Sequence, residues 1–210
     1  MNQTEAEHYH FKFIVVGDSG VGKTNFITRF CYNQFSLEPK VTVGVEYATK
    51  EIKAYDDRIT LHIWDTCGQE NFKSISQTFY KGAVAALLMF DLTRRQTFEN
   101  LEKWFKDVKD CAEENVSIMI VGNKSDLVNL REVRTEEGVS FAESKNAAYI
   151  ETSALDSTNI EAAFRHVSIA VYNIFLQYGT YIDENTGKKS SKSFKLKSGE
   201  IIEKKCCGKS

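Results

Sequence analysis

Phe11-Lys12-Phe13-Ile14-Val15-Val16-Gly17-Asp18-Ser19-Gly20-Val21-Gly22-Lys23-Thr24 is the stretch that decides the fold. Its first six residues are short, apolar and β-rich, and they stop where a glycine-rich loop begins. Glycines 17, 20 and 22 let the backbone curl so that successive N–H groups point inward at an anion's oxygens. A helix opening after the loop aims its positive end at the same anion. Lys23 adds a point charge suited to β and γ phosphates, and the Thr24 hydroxyl can ligate Mg²⁺. A strand before and a helix after separate this loop from an accidental glycine turn.

Working outward, residues 41–54 and 59–65 suggest two strands around a turn at Tyr55-Asp56-Asp57-Arg58. Residues 83–90 and 118–121 are almost wholly apolar, which suits strands buried on both faces of a parallel sheet. Residues 148–152 suggest a last strand. Between these runs, Phe98, Leu101, Trp104, Phe105 and Val108 recur at helical spacing behind Thr97, a candidate N-cap. A longer stripe from Ile160 to Phe175 opens with Thr158-Asn159-Ile160-Glu161, a capping-box pattern. Alternating strand and helix predict an α/β fold with helices on both faces.

The chain has 210 residues, 42% of them apolar, enough for one domain with a full core. We expect that domain over residues 8–176 and a flexible tail over 177–210. A net charge of −2 argues against a polyanion binder, so no nucleic-acid partner is expected. Eight lysines from Lys188 onward, against Glu200 and Glu203, nevertheless make the end of the chain a basic arm. Five scattered cysteines form neither a disulfide framework nor a zinc-ligand spacing. No apolar signal region opens the chain, and no run approaches the ~20 residues of a membrane span. The body is therefore expected in the reducing cytosol. Histidines 8, 10, 62 and 166 are expected to form no cluster, and His62, in a strand, to pack or face the surface rather than catalyse.

Two further motifs complete a site. In Trp64-Asp65-Thr66-Cys67-Gly68-Gln69-Glu70, Asp65 ends a strand where it can hold magnesium through a water. Gly68 lacks a side chain, so its N–H can approach a γ-phosphate, and Gln69 can orient an attacking water. In Asn123-Lys124-Ser125-Asp126, the Asp126 carboxylate can accept the paired N1–H and N2–H₂ donors of guanine, which adenine lacks. Asn123 would brace that loop and Lys124 would pack over the purine. A backbone N–H at Ser153-Ala154 can meet guanine O6.

Taken together, these motifs resemble the Ras superfamily and, within it, the Rab family. Val43-Gly44-Val45-Glu46-Tyr47, Ile63-Trp64-Asp65-Thr66, Phe79-Tyr80-Lys81-Gly82-Ala83 and Leu88-Met89-Phe90-Asp91-Leu92-Thr93 carry the likeness. Gly122-Asn123-Lys124-Ser125-Asp126-Leu127 and the run from Glu151 to Asn159 are most similar to the recycling-endosome branch. The resemblance implies a Ras-like P-loop fold, with a mostly parallel six-stranded sheet, one antiparallel strand and helices on both faces, and a GTPase that cycles between GDP and GTP to regulate vesicle traffic, in endosomal recycling or exocytosis. It implies slow GTP hydrolysis, with Gln69 catalytic. Thr42 would be the switch threonine sensing Mg²⁺ and the γ-phosphate, beside Thr24 and Asp65. Phe35 would pack edge-on against guanine. Ser19, Gly20, Val21, Gly22, Lys23, Thr24, Asn25, Gly68, Asn123, Lys124, Asp126, Ser153, Ala154 and Leu155 complete the nucleotide contacts. Departures are Cys67 where the family usually has Ala, Asn71-Phe72-Lys73 in switch II, and Pro39 in switch I.

Cys206-Cys207, three residues from the end, resemble a double-geranylgeranylation site. One lipid chain binds membranes marginally and two bind stably. Nearby lysines add about 1 kcal/mol each on an anionic leaflet. The likeness implies a lipid-anchored protein on the cytoplasmic face of endosomal or Golgi-derived vesicles, with a cytosolic pool. Implied partners are an exchange factor, a GTPase-activating protein, a GDP-dissociation inhibitor or escort protein, and effectors. The competing readings are a nucleotide-binding scaffold with little turnover, and a metabolic kinase, in which a base-reading Asp126 would be unexpected.

Overall fold

The computed structural model describes residues 8–37, 42, 45–66, 79–113 and 115–178. Six strands are β1 (His8–Val16), β2 (Val45–Ala54), β3 (Asp57–Thr66), β4 (Ala85–Asp91), β5 (Ser117–Asn123) and β6 (Ala148–Thr152). They join in the order β2-β3-β1-β4-β5-β6. Only the β2–β3 pair is antiparallel, as the resemblance implies. The described helices are α1 (Lys23–Tyr32), α2 (Arg95–Glu99), α3 (Leu101–Cys111), α4 (Thr135–Ser144) and α5 (Ile160–Tyr178).

Alternation along β1 explains the two layers. Tyr9, Phe11, Phe13 and Val15 face α1 and α5, where Phe26 and Phe30 of α1 meet Phe164 of α5. The Phe30 and Phe164 rings stack with centroids 3.9 Å apart, a contact worth about 1 kcal/mol beyond its buried area. Ile14 and Val16 face the other way, into a layer with Leu101, Trp104 and Val108 of α3 and Ala142 of α4. β4 is buried along its whole length, because helices cover both of its faces.

Several local expectations need correction. The β2–β3 turn is only Tyr55-Asp56; Asp57 and Arg58 already pair with Ala54 and Lys53. Tyr55 takes φ 54°, which lets two residues close the hairpin. Thr42 lies outside the β2 ladder, which is described from Val45. Thr97 does not cap a helix. It is buried inside α2, accepting the Asp91 N–H at 3.0 Å and donating to the Arg94 carbonyl at 2.7 Å. Thr158 forms no capping box either: its N–H donates to Asp156 Oδ1 at 2.9 Å, and α5 begins after a left-handed Asn159. Three histidines do meet. Parallel pairing of β1 with β3 sets His10 Nδ1 2.9 Å from His62 Nε2, with the His8 ring 4.7 Å from that of His10.

This topology places the C-terminal ends of β1, β3, β4, β5 and β6 along one edge. In open α/β sheets that edge is where ligands bind.

Candidate functional site

The loop after β1 is shaped by contacts only glycine permits. A Cβ on Gly17 would stand 2.2 Å from the Met89 carbonyl oxygen of the neighbouring strand, at φ +144°. One on Gly22, at φ +99°, would stand 2.5 Å from Asn123 Nδ2. α1 starts directly after Gly22, so its free N–H groups face the loop's hollow. The buried Lys23 ammonium donates to the Gly17 carbonyl at 2.8 Å and the Asp18 carbonyl at 2.9 Å.

The three residues expected to surround a metal converge. Thr24 Oγ1 donates to Asp65 Oδ2 at 2.5 Å and lies 3.0 Å from Thr42 Oγ1. Asp65 is 3% exposed, and its Oδ1 has no hydrogen-bond partner among the described residues. Burial pushes this carboxyl up to about 6; the Thr24 hydrogen bond and the Lys23 charge pull it down, and Glu46 adds a smaller upward push. An orphaned buried acceptor costs about 1–3 kcal/mol. Two hydroxyls and a carboxylate are the hard oxygen donors that suit Mg²⁺.

The other end of the edge is built around the turn after β5. Buried Asn123 donates from Nδ2 to the Val21 carbonyl at 2.9 Å and accepts from Thr152 Oγ1 at 3.2 Å. It thereby ties the phosphate loop to β5 and β6. Lys124 takes a left-handed φ of 67°, which turns the chain back on itself. Its ammonium reaches Asp91 Oδ2 at 2.7 Å. Burial alone would raise the Asp91 carboxyl; hydrogen bonds from Lys124 and Thr93 outweigh it and hold it below the usual range. Asp126 Oδ1 accepts the Ser153 hydroxyl at 2.6 Å, which fixes the carboxylate. The Ser153 N–H is taken by the Thr158 carbonyl at 3.1 Å. Among the described residues no hydrogen bond takes the Ala154 N–H, which leaves Ala154 the better donor of the two.

Arg29 of α1 was not foreseen. It donates to the Ala154 carbonyl at 2.9 Å and the Leu155 carbonyl at 3.1 Å, and its guanidinium lies 5.8 Å from the Phe35 ring centroid. One residue thus gathers Phe35 and the 153–155 turn. Asn25 exchanges two hydrogen bonds with the backbone of Ser36, so its side chain fastens the segment carrying Phe35. Nor does any motif mark Asp18, Asp91, Arg94, Asn100 and Trp104, whose side chains form a network around the loop after β1. Ser19 and Gly20 are exposed at the loop's tip. Cys67, Gly68, Gln69, the 71–73 run, Pro39, Cys206 and Cys207 lie outside the described residues.

Comparison with known proteins decides the family. Residues 12–173 match the Ras family. Ras-related protein YPTC6 of Chlamydomonas reinhardtii is 51% identical over 166 residues, 79% of this chain and 77% of that protein. Ras-related protein RABA1e of Arabidopsis thaliana is 51% identical over 166 residues, 79% of this chain and 76% of its own. The chain belongs to the Rab family of Ras superfamily GTPases. As a Rab GTPase it binds GTP and GDP, hydrolyses GTP to GDP and regulates vesicle traffic through regulators and effectors at intracellular membranes. No helix among the described residues of this Rab protein is long and apolar enough to cross a membrane.

Proposed function

We propose that this Rab protein is a Mg²⁺-dependent timed switch whose site residues are those gathered along the strand ends. The observation that carries the reading is the meeting of Thr24, Thr42 and Asp65 beside Lys23, with one Asp65 oxygen unpartnered among the described residues. Thr24 and Thr42 would hold the cation directly and Asp65 through a water. When bound, Mg²⁺ supplies charge neutralisation on the β and γ phosphates. Lys23 and the N–H groups of residues 19–25 hold the phosphates. Asp126 accepts the guanine N1–H and N2–H₂ pair, the Ala154 N–H meets O6, and Lys124 and Phe35 flank the base, with Leu155 at the pocket wall.

Thr42 and Gly68 sense the γ-phosphate and release their segments when it leaves. Gln69 orients the attacking water. Hydrolysis is slow until an activating protein contributes an arginine, worth on the order of 10³ to 10⁵ in rate in Ras-type proteins. An exchange factor, a GDP-dissociation inhibitor or escort protein, and effectors complete the cycle. We place the domain at 8–176 and the tail at 177–210. Prenyl groups on Cys206 and Cys207 would anchor the tail to endosomal or Golgi-derived vesicles, for endosomal recycling or exocytosis.

Single-turnover hydrolysis by Gln69→Leu, with and without an activating protein, tests the central step. We expect a strongly reduced rate in both conditions; an unchanged rate would remove Gln69 from its role, and negligible wild-type turnover even with an activating protein would favour a scaffold.

A further inference from the structure

Asp18 sets a carboxylate in the loop proposed to hold the phosphates. Its surroundings explain how it is tolerated. Asn100 Nδ2 donates to Asp18 Oδ2 at 2.7 Å, and Trp104 Nε1 donates to Asp18 Oδ1 at 2.8 Å. The carboxylate is therefore turned outward and gripped on both oxygens by neutral donors, one at the start of α3 and one a turn further along it. The carbonyl of the same Asp18 accepts the Lys23 ammonium. One residue away, Arg94 Nη2 donates to the Ser19 carbonyl at 3.0 Å, while its Nε is anchored on buried Asp91 at 3.0 Å. Asp91 in turn receives Lys124. Three donors from residues 94–104 thus fasten residues 18–19 from outside the cradle, and Arg94 shares Asp91 with Lys124 of the proposed base-reading turn.

We propose that Asn100 and Trp104 are positioning residues for nucleotide binding, acting through Asp18 on the seat of Lys23, with Arg94 holding the next turn of the loop. The clamp sets how firmly the loop keeps its curl, and hence how slowly nucleotide leaves. Its polarity is specific: two donors meet two carboxylate oxygens. Asn100→Asp would set two carboxylates against each other. Adding Asp18→Asn reverses the pair, because the new amide at position 18 can donate to the carboxylate introduced at position 100 while its oxygen still accepts from Trp104.

The experiment is fluorescent GDP release from the full chain, with thermal melting in parallel. It rests on the nucleotide seat at Lys23. Asn100→Asp should speed release roughly tenfold, the cost of one lost charge-assisted bond. The Asn100→Asp/Asp18→Asn double variant should return to within about threefold of wild type, whereas a purely structural role would leave release following the melting temperature alone. Trp104→Phe, which keeps the ring and removes one donor, should speed release by roughly threefold to tenfold without unfolding the chain. Unchanged release in Asn100→Asp and Trp104→Phe, or a double variant as fast as Asn100→Asp, would overturn the clamp while leaving the seat intact. A wild-type chain that holds no GDP would overturn the seat and the clamp with it.

Discussion

At the end of β5, Asn123 bonds Val21 and Thr152, Lys124 bonds Asp91, and Asp126 bonds Ser153. At the end of β3, Asp65 has one oxygen on Thr24 and the other on nothing among the described residues. Both regions present a carboxylate at a strand terminus. The carboxylate proposed to read the base is held in place by the protein itself, which would preorganise guanine preference. The carboxylate proposed to face the metal is buried with one oxygen unpartnered among the described residues, a place where a bound cation would compensate its charge. On the proposed function, the contrast puts base selectivity at one end of the cleft and the cation-dependent part of nucleotide release at the other.

The largest break should come from Lys23, which lies beside Asp65 and is seated on the carbonyls of Gly17 and Asp18. Lys23→Met removes the buried ammonium, and GTP and GDP affinity should fall by about 4 kcal/mol, roughly 10³-fold, in equilibrium binding. Asp126→Asn should act on the base end alone. It should cost about 3 kcal/mol for guanine nucleotides, roughly 100-fold, and leave weak ATP binding unchanged in a competition assay.

Gly22→Ala probes the join between the ends. The new methyl would displace Asn123 from Val21 at a φ that L residues rarely adopt, costing about 2 kcal/mol in denaturant unfolding and loosening nucleotide as well. The smallest effect lies away from the cleft. Burial would raise the Glu151 carboxyl, but hydrogen bonds from Arg131, Thr135 and Tyr149 hold it below the usual range. Its contribution is complete above a glutamate's ordinary value and is lost as pH falls through the lowered one. Glu151→Gln should therefore cost about 1 kcal/mol at pH 7 and flatten the acid limb of the stability curve.

The residues proposed to face the ligand are legible in the sequence because their chemistry forces local patterns. Glycine spacing in residues 17–22, Asp65 at a strand end and Asp126 three residues after Asn123 each occupy one short segment. The layered α/β architecture followed from apolar runs alternating with helical stripes. What stayed hidden is carried between distant segments. Asp18 meets Trp104, Arg29 meets Leu155 and His10 meets His62 only after the sheet is assembled, and no spacing announces such pairs. Thr97 and Thr158 resemble caps by residue type, yet Asp91 and Asp156 claim their hydrogen bonds first.

The division between the two ends is tested most directly by GDP release with and without a chelator, in wild type and Asp65→Asn, alongside guanine-over-adenine preference. The account predicts that chelation speeds release from the wild type, that Asp65→Asn is already fast and insensitive to chelator, and that both keep the same base preference. Release from the wild type that ignores the chelator, or a base preference lost in Asp65→Asn, would contradict it.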